Sequence, residues 1–440
     1  MSKIRSGGAL AAALLACSTS TVFAEDLLQV YMLADSNDTV IREARAQYQA
    51  THTQLAEGRA QLLPSVTLNG NSARNTQAPT VEHSFANGFN THSYSVSLSQ
   101  SLLNFQAWYS FQSARQSDRE AVAVLAQAEQ ELIMRVATAY FDVLRSQDNL
   151  ELFAAEEEAA RVVMDQAQQR YDLGFAEISD VFDSQASYSL ARVNRLEEEN
   201  LLRQRQQALE VITGGAHRML ESLAPAFPVV SADPDNLERW LALAQENNLD
   251  IQAAEFSLAS TEHEARAAKA AMLPTLSLSA NYNDNAERAN PFAFISDPSN
   301  STAISVQVSL PLFRGGANRA RMQSAYYTVD ATKEALSRIE RESLAQIRNS
   351  YLSIETALQT VAAREEAINI SENALEATEV GIEVGTRNIV DLLQAQRTLF
   401  QARRDLANAR YDYVLDTLAL KQAAGTLSPQ DVIDLNEWLE

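Results

Sequence analysis

The chain has 440 residues and a formal net charge of −22, from 57 acidic and 35 basic side chains. This length is enough for two or three ordinary domains. Such an acidic chain is a poor partner for nucleic acid, because both carry negative charge. Its one cysteine excludes a disulfide framework and a cysteine-based zinc site.

Residues 1–24 have the features of a secretory signal peptide. A basic start is followed by an apolar stretch over residues 9–16, and small residues precede a cleavage point after Ala24. An alternative start lies at Cys17, because residues 14–17 form a loose lipoprotein cleavage box. We favour cleavage after Ala24, which predicts an exported chain whose only cysteine is lost with the leader.

The rest of the chain consists of two halves with similar sequences. The segment 63–68 recurs at 273–278, and Gly174 recurs as Gly385 at nearly the same offset. Several separated markers in one register indicate an internal duplication. The predicted units are a first repeat at 25–214, a linker at 215–236, a second repeat at 237–425 and a C-terminal segment at 426–440.

Each half carries two segments in which apolar and small polar residues alternate. They lie around residues 66–69 and 94–99 in the first half, and at 276–282 and 304–310 in the second. A period of two over about ten residues is typical of a transmembrane β-barrel strand with one face toward lipid and one toward water. The predicted loops within the two strand pairs are 76–92 and 286–302.

The remainder of each half is predicted to be helical. Proline is absent from 80–224 and from 312–428, and these tracts are rich in Ala, Leu, Glu, Gln and Arg. A helix over 106–171 would be about 100 Å long, so it must pack lengthwise against other helices. Glycine predicts a reversal of the helices at 172–175 and again at 383–386.

Four strands are too few to close a barrel, and lipid offers no hydrogen-bonding partner to a free strand edge. Several copies must therefore pool their strands, eight from a dimer or twelve from a trimer. The small polar residues on one strand face indicate a water-filled lumen, which favours the trimer. A competing hypothesis is a structural or adhesive coiled-coil protein that is anchored by a small barrel and transports nothing.

The sequence resembles the TolC family of outer-membrane channel-tunnels from Glu25 almost to its end. The resemblance is clearest in three segments, residues 26–31, 384–393 and 407–413. It implies a mixed α and β membrane protein, in which a trimer forms a twelve-stranded β-barrel continued by an α-helical coiled-coil barrel. It also implies an equatorial mixed domain, built from residues 215–236 and the C-terminus.

The function that the resemblance implies is an exit duct through the outer membrane, with its tunnel in the periplasm of a Gram-negative bacterium. The duct would serve a tripartite efflux pump, as in multidrug resistance, or a type I secretion system. Its partners would be two further copies of the chain, outer-membrane lipid, a periplasmic adaptor protein and an inner-membrane pump of the RND or ABC type.

The resemblance also assigns a gate to the helix reversals. Arg387 matches the gating arginine of the family, and Ser179 and Asp180 match its hydroxyl and carboxylate partners. Asp391 matches a carboxylate ring that selects cations. A tyrosine that assists the gate in other members is Ile382 here. Helix physics offers a simpler role for both aspartates, because negative charge is favoured in the first turn of a helix.

Two further expectations concern the same reversals. Position 394, where members often have a second acidic ring, is Gln394, so we expect a mild cation preference. The reversals also match the paired motifs that receive the adaptor. The expected docking residues are Leu173, Gly174, Phe175, Val384, Gly385 and Thr386.

No pattern indicates catalysis. The five histidines are scattered without metal-ligand spacing, and the sequence has no nucleophile elbow and no phosphate-binding loop. We therefore expect no catalytic residues, no metal, no cofactor and no enzymatic activity.

Overall fold

The computed structural model describes residues 24–77, 87–217, 219–224, 227–288 and 299–440. The alternative start at Cys17 and the predicted signal peptide up to residue 23 lie outside these ranges. The central parts of the two predicted strand-pair loops lie outside them as well.

The elements follow the same order in both halves of the chain. The first half contains α1 Leu27–Asn37, α2 Thr39–Ala60, β1 Ser65–Gln77, β2 Asn87–Leu103, α3 Phe105–Asp172 and α4 Ile178–Thr213. The second half contains α5 Leu237–Asn247, α6 Leu249–Ala270, β3 Thr275–Arg288, β4 Ser299–Ser309, α7 Ala317–Glu383 and α8 Ile389–Ala423, followed by α9 Pro429–Asn436. The predicted long helices, strand pairs and helix reversals are all present.

The helix before each strand pair is broken into two, which the sequence analysis did not predict. Asp38 caps α2, because its carboxylate accepts hydrogen bonds from the amides of Val40 and Ile41 at 2.7 and 2.9 Å. Asn248 caps α6 and accepts from the amide of Ile251 at 3.0 Å. A side chain that binds the next turn's amides starts a new helix, so the chain changes direction at the same place in each half.

The four strands form one antiparallel sheet in the order β1-β2-β3-β4. The pairing of β2 with β3, with Val96 opposite Tyr282, joins the two halves. In the described residues of one chain, β1 and β4 each pair with a strand on one side only. One face of the two outer strands is strongly exposed and apolar, with Val66, Leu68 and Ile304 at 66–74% exposure.

The predicted loops were too long. Asn87 is already paired with Gln77, and the ladder runs without interruption from there through His92 opposite Ser72. The Asn- and Ser-rich ends lack the apolar alternation that identifies a strand, but their backbone groups pair all the same. The strands therefore extend beyond the segments with clear periodicity.

The main core lies about halfway along α3 and also contains buried residues of α1, α5, α7, α8 and α9; we call it the equatorial core. Tyr140 is fully buried there, and its hydroxyl donates to the carbonyl of Glu25 at 3.2 Å and of Glu221 at 2.9 Å. Leu223 forms a β-bridge with Leu439. The linker and both ends of the described chain thus pack together in this one core.

Candidate gate and docking site at the helix reversals

The two reversals, hereafter tip 1 (173–177) and tip 2 (384–388), have the same backbone geometry. Gly174 and Gly385 both have φ of +79°, and a Cβ at either would meet no atom within 4 Å. The amide of Phe175 donates to Arg170 at 2.7 Å, and that of Thr386 to Gly381 at 2.8 Å. Glycine is needed at both tips for the left-handed turn rather than for space.

The predicted docking residues lie on the surface of the chain. Leu173 and Phe175 of tip 1 are 71% and 74% exposed, and Val384 of tip 2 is 69% exposed. The exposed apolar surface of tip 1 continues onto α4 through Ile178 and Phe182. Sequence reasoning missed these two residues, although their spacing of four residues at the start of a helix places them on one face.

Both tip aspartates have the helix-capping role that physics alone predicts. Asp180 accepts a hydrogen bond from the amide of Glu177 at 3.4 Å, and Asp391 accepts one from the amide of Asn388 at 3.3 Å. Each forms a capping box with the residue three positions before it. Each capping bond uses only Oδ2 of the carboxylate, so Oδ1 remains available as a further acceptor.

Within one chain Arg387 lies beside Asp391 rather than Asp180. Its Nη1 is 3.8 Å from the Asp391 Oδ2, and both side chains are substantially exposed. The stem of Arg387 crosses Gly381 so closely that a Cβ there would lie 2.6 Å from the arginine Cγ. Ser179 donates weakly to Glu177 at 3.4 Å. The structure therefore brings Arg387 and Asp391 together, and among described residues it forms no Arg387–Asp180 ion pair.

A line of polar contacts joins the two hairpins along α3 and α8, and we call it the seam. Arg145 bonds Asp412 at 2.5 Å, and the Tyr411 hydroxyl donates to Asp148 at 2.6 Å. Burial raises the pKa of the Asp148 carboxyl, and the bond from Tyr411 offsets part of that shift. Sequence reasoning missed the seam, because helix periodicity does not say which turns of two distant helices face each other.

The seam contact nearest the tips is also the more buried of its two ion pairs. Arg404 bonds Glu156 at 2.6 Å with side chains only 14% and 10% exposed, and its guanidinium lies 4.1 Å from the centre of the Phe153 ring. A guanidinium can use its edge for the carboxylate and its face for the aromatic ring at the same time. This contact fixes the two hairpins relative to each other below the equatorial core.

Neither a metal nor a helical membrane span is indicated in the part of the chain that the structure describes. Its His, Cys, Asp and Glu side chains form no group of three or more suited to holding a metal ion. None of its helices is both long enough and apolar enough to cross a membrane.

Comparison with known proteins agrees with this architecture. The family model for outer membrane efflux proteins matches residues 30–215 and again residues 240–426. The chain belongs to the outer membrane efflux protein family. It is thus an outer-membrane channel protein that serves as an exit duct, with a helical tunnel in the periplasm, and the predicted family, function and location are confirmed.

Curated members of the outer membrane efflux protein family match almost the whole chain. The outer membrane protein TolC of Vibrio cholerae serotype O1 is 35% identical over 436 residues, which are 97% of each chain. TolC of Escherichia coli is 30% identical and covers 94% of this chain and 85% of its own. The alkaline protease secretion protein AprF of Pseudomonas aeruginosa is 27% identical over 93% of this chain and 86% of its own.

Solved structures of low sequence identity share the fold. The outer membrane protein VceC of Vibrio cholerae superposes with a TM-score of 0.78 at 19% identity, over 91% of this chain and 96% of its own. CusC gives a TM-score of 0.78 at 16% identity, over 91% and 92% of the two chains. These likenesses support the long-helix and small-sheet architecture of the outer membrane efflux protein family.

Proposed function

We propose that three copies of this chain form one twelve-stranded barrel and one helical tunnel, which carry efflux substrates and type I secretion substrates out of the cell. The observation that carries the proposal is the four-stranded sheet, whose two edges have no strand partner among the described residues. In lipid those edges need partners, and an identical chain offers β1 beside β4. The two halves of the chain are the duplicated units, each contributing two strands and one hairpin.

The partners proposed for this duct follow from the same geometry and from its relatives. The tips lie at the far end of the hairpins from the sheet, and their apolar side chains are exposed there. A periplasmic adaptor would cover these side chains and connect the duct to an inner-membrane pump of the RND or ABC type. Relatives named for efflux and for protease secretion support both kinds of substrate.

The gate is proposed to lie between neighbouring subunits. Arg387 has an exposed guanidinium, and its contact with Asp391 at 3.8 Å is long and weak. Asp180 and Ser179 of an adjacent tip offer stronger, charge-assisted partners. Three such contacts around the axis would keep the periplasmic end closed until docking separates the tips.

The test is ion conduction by purified protein in a planar lipid bilayer. We expect a particle with the mass of three chains and a small single-channel current. Arg387→Ala should increase that current severalfold, because it removes the cation from each contact between subunits. Arg403→Ala, which removes another solvent-accessible arginine of the second hairpin about four helical turns from tip 2, should leave the current unchanged.

Two results would contradict different parts of the proposal. A stable monomer that passes no current would overturn the shared trimeric barrel. A trimer whose current is the same in Arg387→Ala as in the wild type would overturn the gate alone.

A further inference from the structure

The edge of the sheet that faces the helices carries exposed apolar side chains. Ser65, the first residue of β1, is opposite Ser99 of β2. Thr275, the first residue of β3, is likewise opposite Ser309 at the end of β4. The connections from the sheet to α2, α3, α6 and α7 therefore pass the same edge. We call six exposed apolar residues at this edge the collar, and they are Leu63, Leu102, Leu273, Leu310, Leu312 and Phe313.

The collar continues one face of β4 beyond the end of the strand. Every second residue from Ile304 to Leu312 is apolar, and these side chains are 51–88% exposed. Phe313, the next residue, is 84% exposed. An apolar run of this period is the surface that a barrel strand presents to lipid. The collar is therefore where the proposed lipid-facing surface ends on the side of the tunnel helices.

The charge of the chain changes sign beside the collar. Acidic residues outnumber basic ones by 57 to 35 in the whole chain, but residues 299–329 contain three arginines and no acidic residue. Arg314 directly follows Phe313, and Arg319 and Arg321 lie in the first two turns of α7. All three are exposed. A locally positive surface thus borders the apolar collar of a strongly acidic protein.

The three arginines have no partner within the described part of the chain. None of them forms an ion pair or a side-chain hydrogen bond with a described residue. Arg338, farther along α7, instead bonds Glu342 at 2.6 Å. The amide of Ala317 donates to the carbonyl of Arg314 at 3.1 Å, so Arg314 lies directly beside the first turn of α7. The three guanidinium groups are therefore available to one kind of ligand.

The height of these arginines matches the headgroup layer of a bilayer. Arg321 lies four residues into α7, so it is at most about 6 Å beyond the start of that helix. A headgroup layer is about 5–8 Å thick on each side of the hydrocarbon core. Guanidinium groups at this level meet lipid phosphates, which they bind through paired, charge-assisted hydrogen bonds. A lipid with net negative charge gains most, because a zwitterionic headgroup brings its own cation.

We propose that the collar, together with Arg314, Arg319 and Arg321, is a binding surface for anionic phospholipids of the periplasmic leaflet. The apolar collar residues would contact acyl chains, and the arginines would bind the phosphate. The inference rests on the proposed function as a shared barrel, and it adds a lipid preference to it. Because β4 is an outer strand of the sheet, each surface would lie beside the joint with the next chain.

Quenching of tryptophan fluorescence by brominated lipids measures this preference in the reconstituted full-length protein. Leu312→Trp, combined with Trp108→Phe, places a reporter in the collar, while Trp240 and Trp438 remain in the equatorial core. The vesicles are of phosphatidylcholine, with part of it replaced by brominated phosphatidylglycerol or by brominated phosphatidylcholine. Both lipids should quench the reporter, and phosphatidylglycerol should bind about five- to tenfold more tightly, as expected for arginines near a membrane surface.

Substitutions in the reporter protein show whether the arginines cause the preference. With Arg314→Gln, Arg319→Gln and Arg321→Gln together, the two lipids should bind about equally. Lysine at the same three positions keeps the charge and should keep most of the preference. The matched control is Arg341→Gln, because Arg341 is an exposed arginine of the same helix about 30 Å beyond Arg321. It should leave the preference unchanged.

Three outcomes would overturn the lipid surface. They are equal binding of the two brominated lipids when all three arginines are present, a preference that survives the triple glutamine change, and a reporter that neither lipid quenches. The last result would show that a neighbouring chain covers the collar. A trimer with normal current in any of these cases would leave the proposed duct standing, whereas a monomer without current would reject the shared barrel itself.

Discussion

Two adjacent arginines of α8 have very different surroundings. Arg404 is buried in the seam between Glu156 and the ring of Phe153. Arg403 bonds Glu372 at 2.8 Å, but both of those side chains are more than 40% exposed. Position along a helix therefore decides whether an arginine forms a solvated ion pair at the surface or a largely buried one that joins the two hairpins.

Arg404→Ala should destabilise the folded chain by about 3–5 kcal/mol, because it leaves the Glu156 carboxylate buried without a counter-charge. Arg403→Ala should cost no more than about 1 kcal/mol, since its ion pair is solvated. Thermal unfolding of the detergent-solubilised protein compares the two. Equal midpoints for the two variants would show that the seam contributes no stability.

The sequence predicted some residue roles and not others. Asp180 and Asp391 were expected in the first turns of helices, and both are there, because capping is a local property of a few neighbouring residues. The pairing of Arg404 with Glu156 spans 248 positions and depends on how two hairpins align. The gate and ring roles of Arg387 and Asp391 stay predictions, since they concern contacts between copies.

At the scale of elements, the tips are turns whose shape depends on glycine and whose surroundings are open. Gly385→Trp should keep the protein folded at a cost of about 1–2 kcal/mol for a left-handed backbone, because nothing lies within 4 Å of the new Cβ. The indole should prevent an adaptor from reaching tip 2. Toxic-compound resistance of cells that produce the variant, together with its trimer yield, measures the two effects.

Gly316 is the matched control for this change. It also has a positive φ, +84°, and no atom within 4 Å of a Cβ, but it lies at the start of α7, next to the sheet. Gly316→Trp therefore introduces the same backbone strain and the same indole at the sheet end of the hairpin, far from tip 2. Cells that produce this variant should keep their resistance to toxic compounds. Normal resistance with Gly385→Trp would contradict docking at tip 2.

The sequence predicted which segments are helices and which are strands, but it predicted their first and last residues less well. The 68 residues of α3 lie in a tract without proline, so its length was evident from composition. The break at Asp38 was missed because a single capping side chain interrupts an otherwise helical pattern. The strands were predicted too short because polar residues at their ends form the same backbone ladder as apolar ones.

At the scale of the whole molecule, charge and symmetry act together. The chain carries −22 overall, and a trimer would place three Asp391 carboxylates around one axis near the narrow end. Like charges around a constriction attract cations and repel anions. Arg387, close to each Asp391, would offset part of that field, in agreement with the mild selectivity expected from Gln394.

Asp391→Asn should shift the reversal potential in a salt gradient toward zero, because it removes three negative charges from the constriction. Asp180→Asn is the matched control, since Asp180 has the same capping role in the other hairpin. It should change gating more than selectivity. An identical shift in both variants would mean that cation preference comes from total charge and not from the Asp391 ring.

The sequence predicts barrel closure only through the physical argument that strand edges in lipid need hydrogen-bonding partners. The described part of one chain supplies four strands, and in their order β1-β2-β3-β4 neither edge has a strand partner within that part. The number of copies is set by the curvature that adjacent chains adopt on contact, which no single-chain pattern contains. Family membership was predictable, by contrast, because long matching stretches such as 384–393 are themselves sequence.

The equatorial core also constrains how the protein matures. The amide of Glu25 donates to Met219, and Ser222 exchanges two backbone hydrogen bonds with Glu440, at 2.9–3.0 Å. Segments from opposite ends of the described chain therefore meet on one strip of the linker. This core can be completed only after the segment around Glu440 has crossed the inner membrane, so a chain exported only as far as the linker has no finished core from which premature tunnels could assemble.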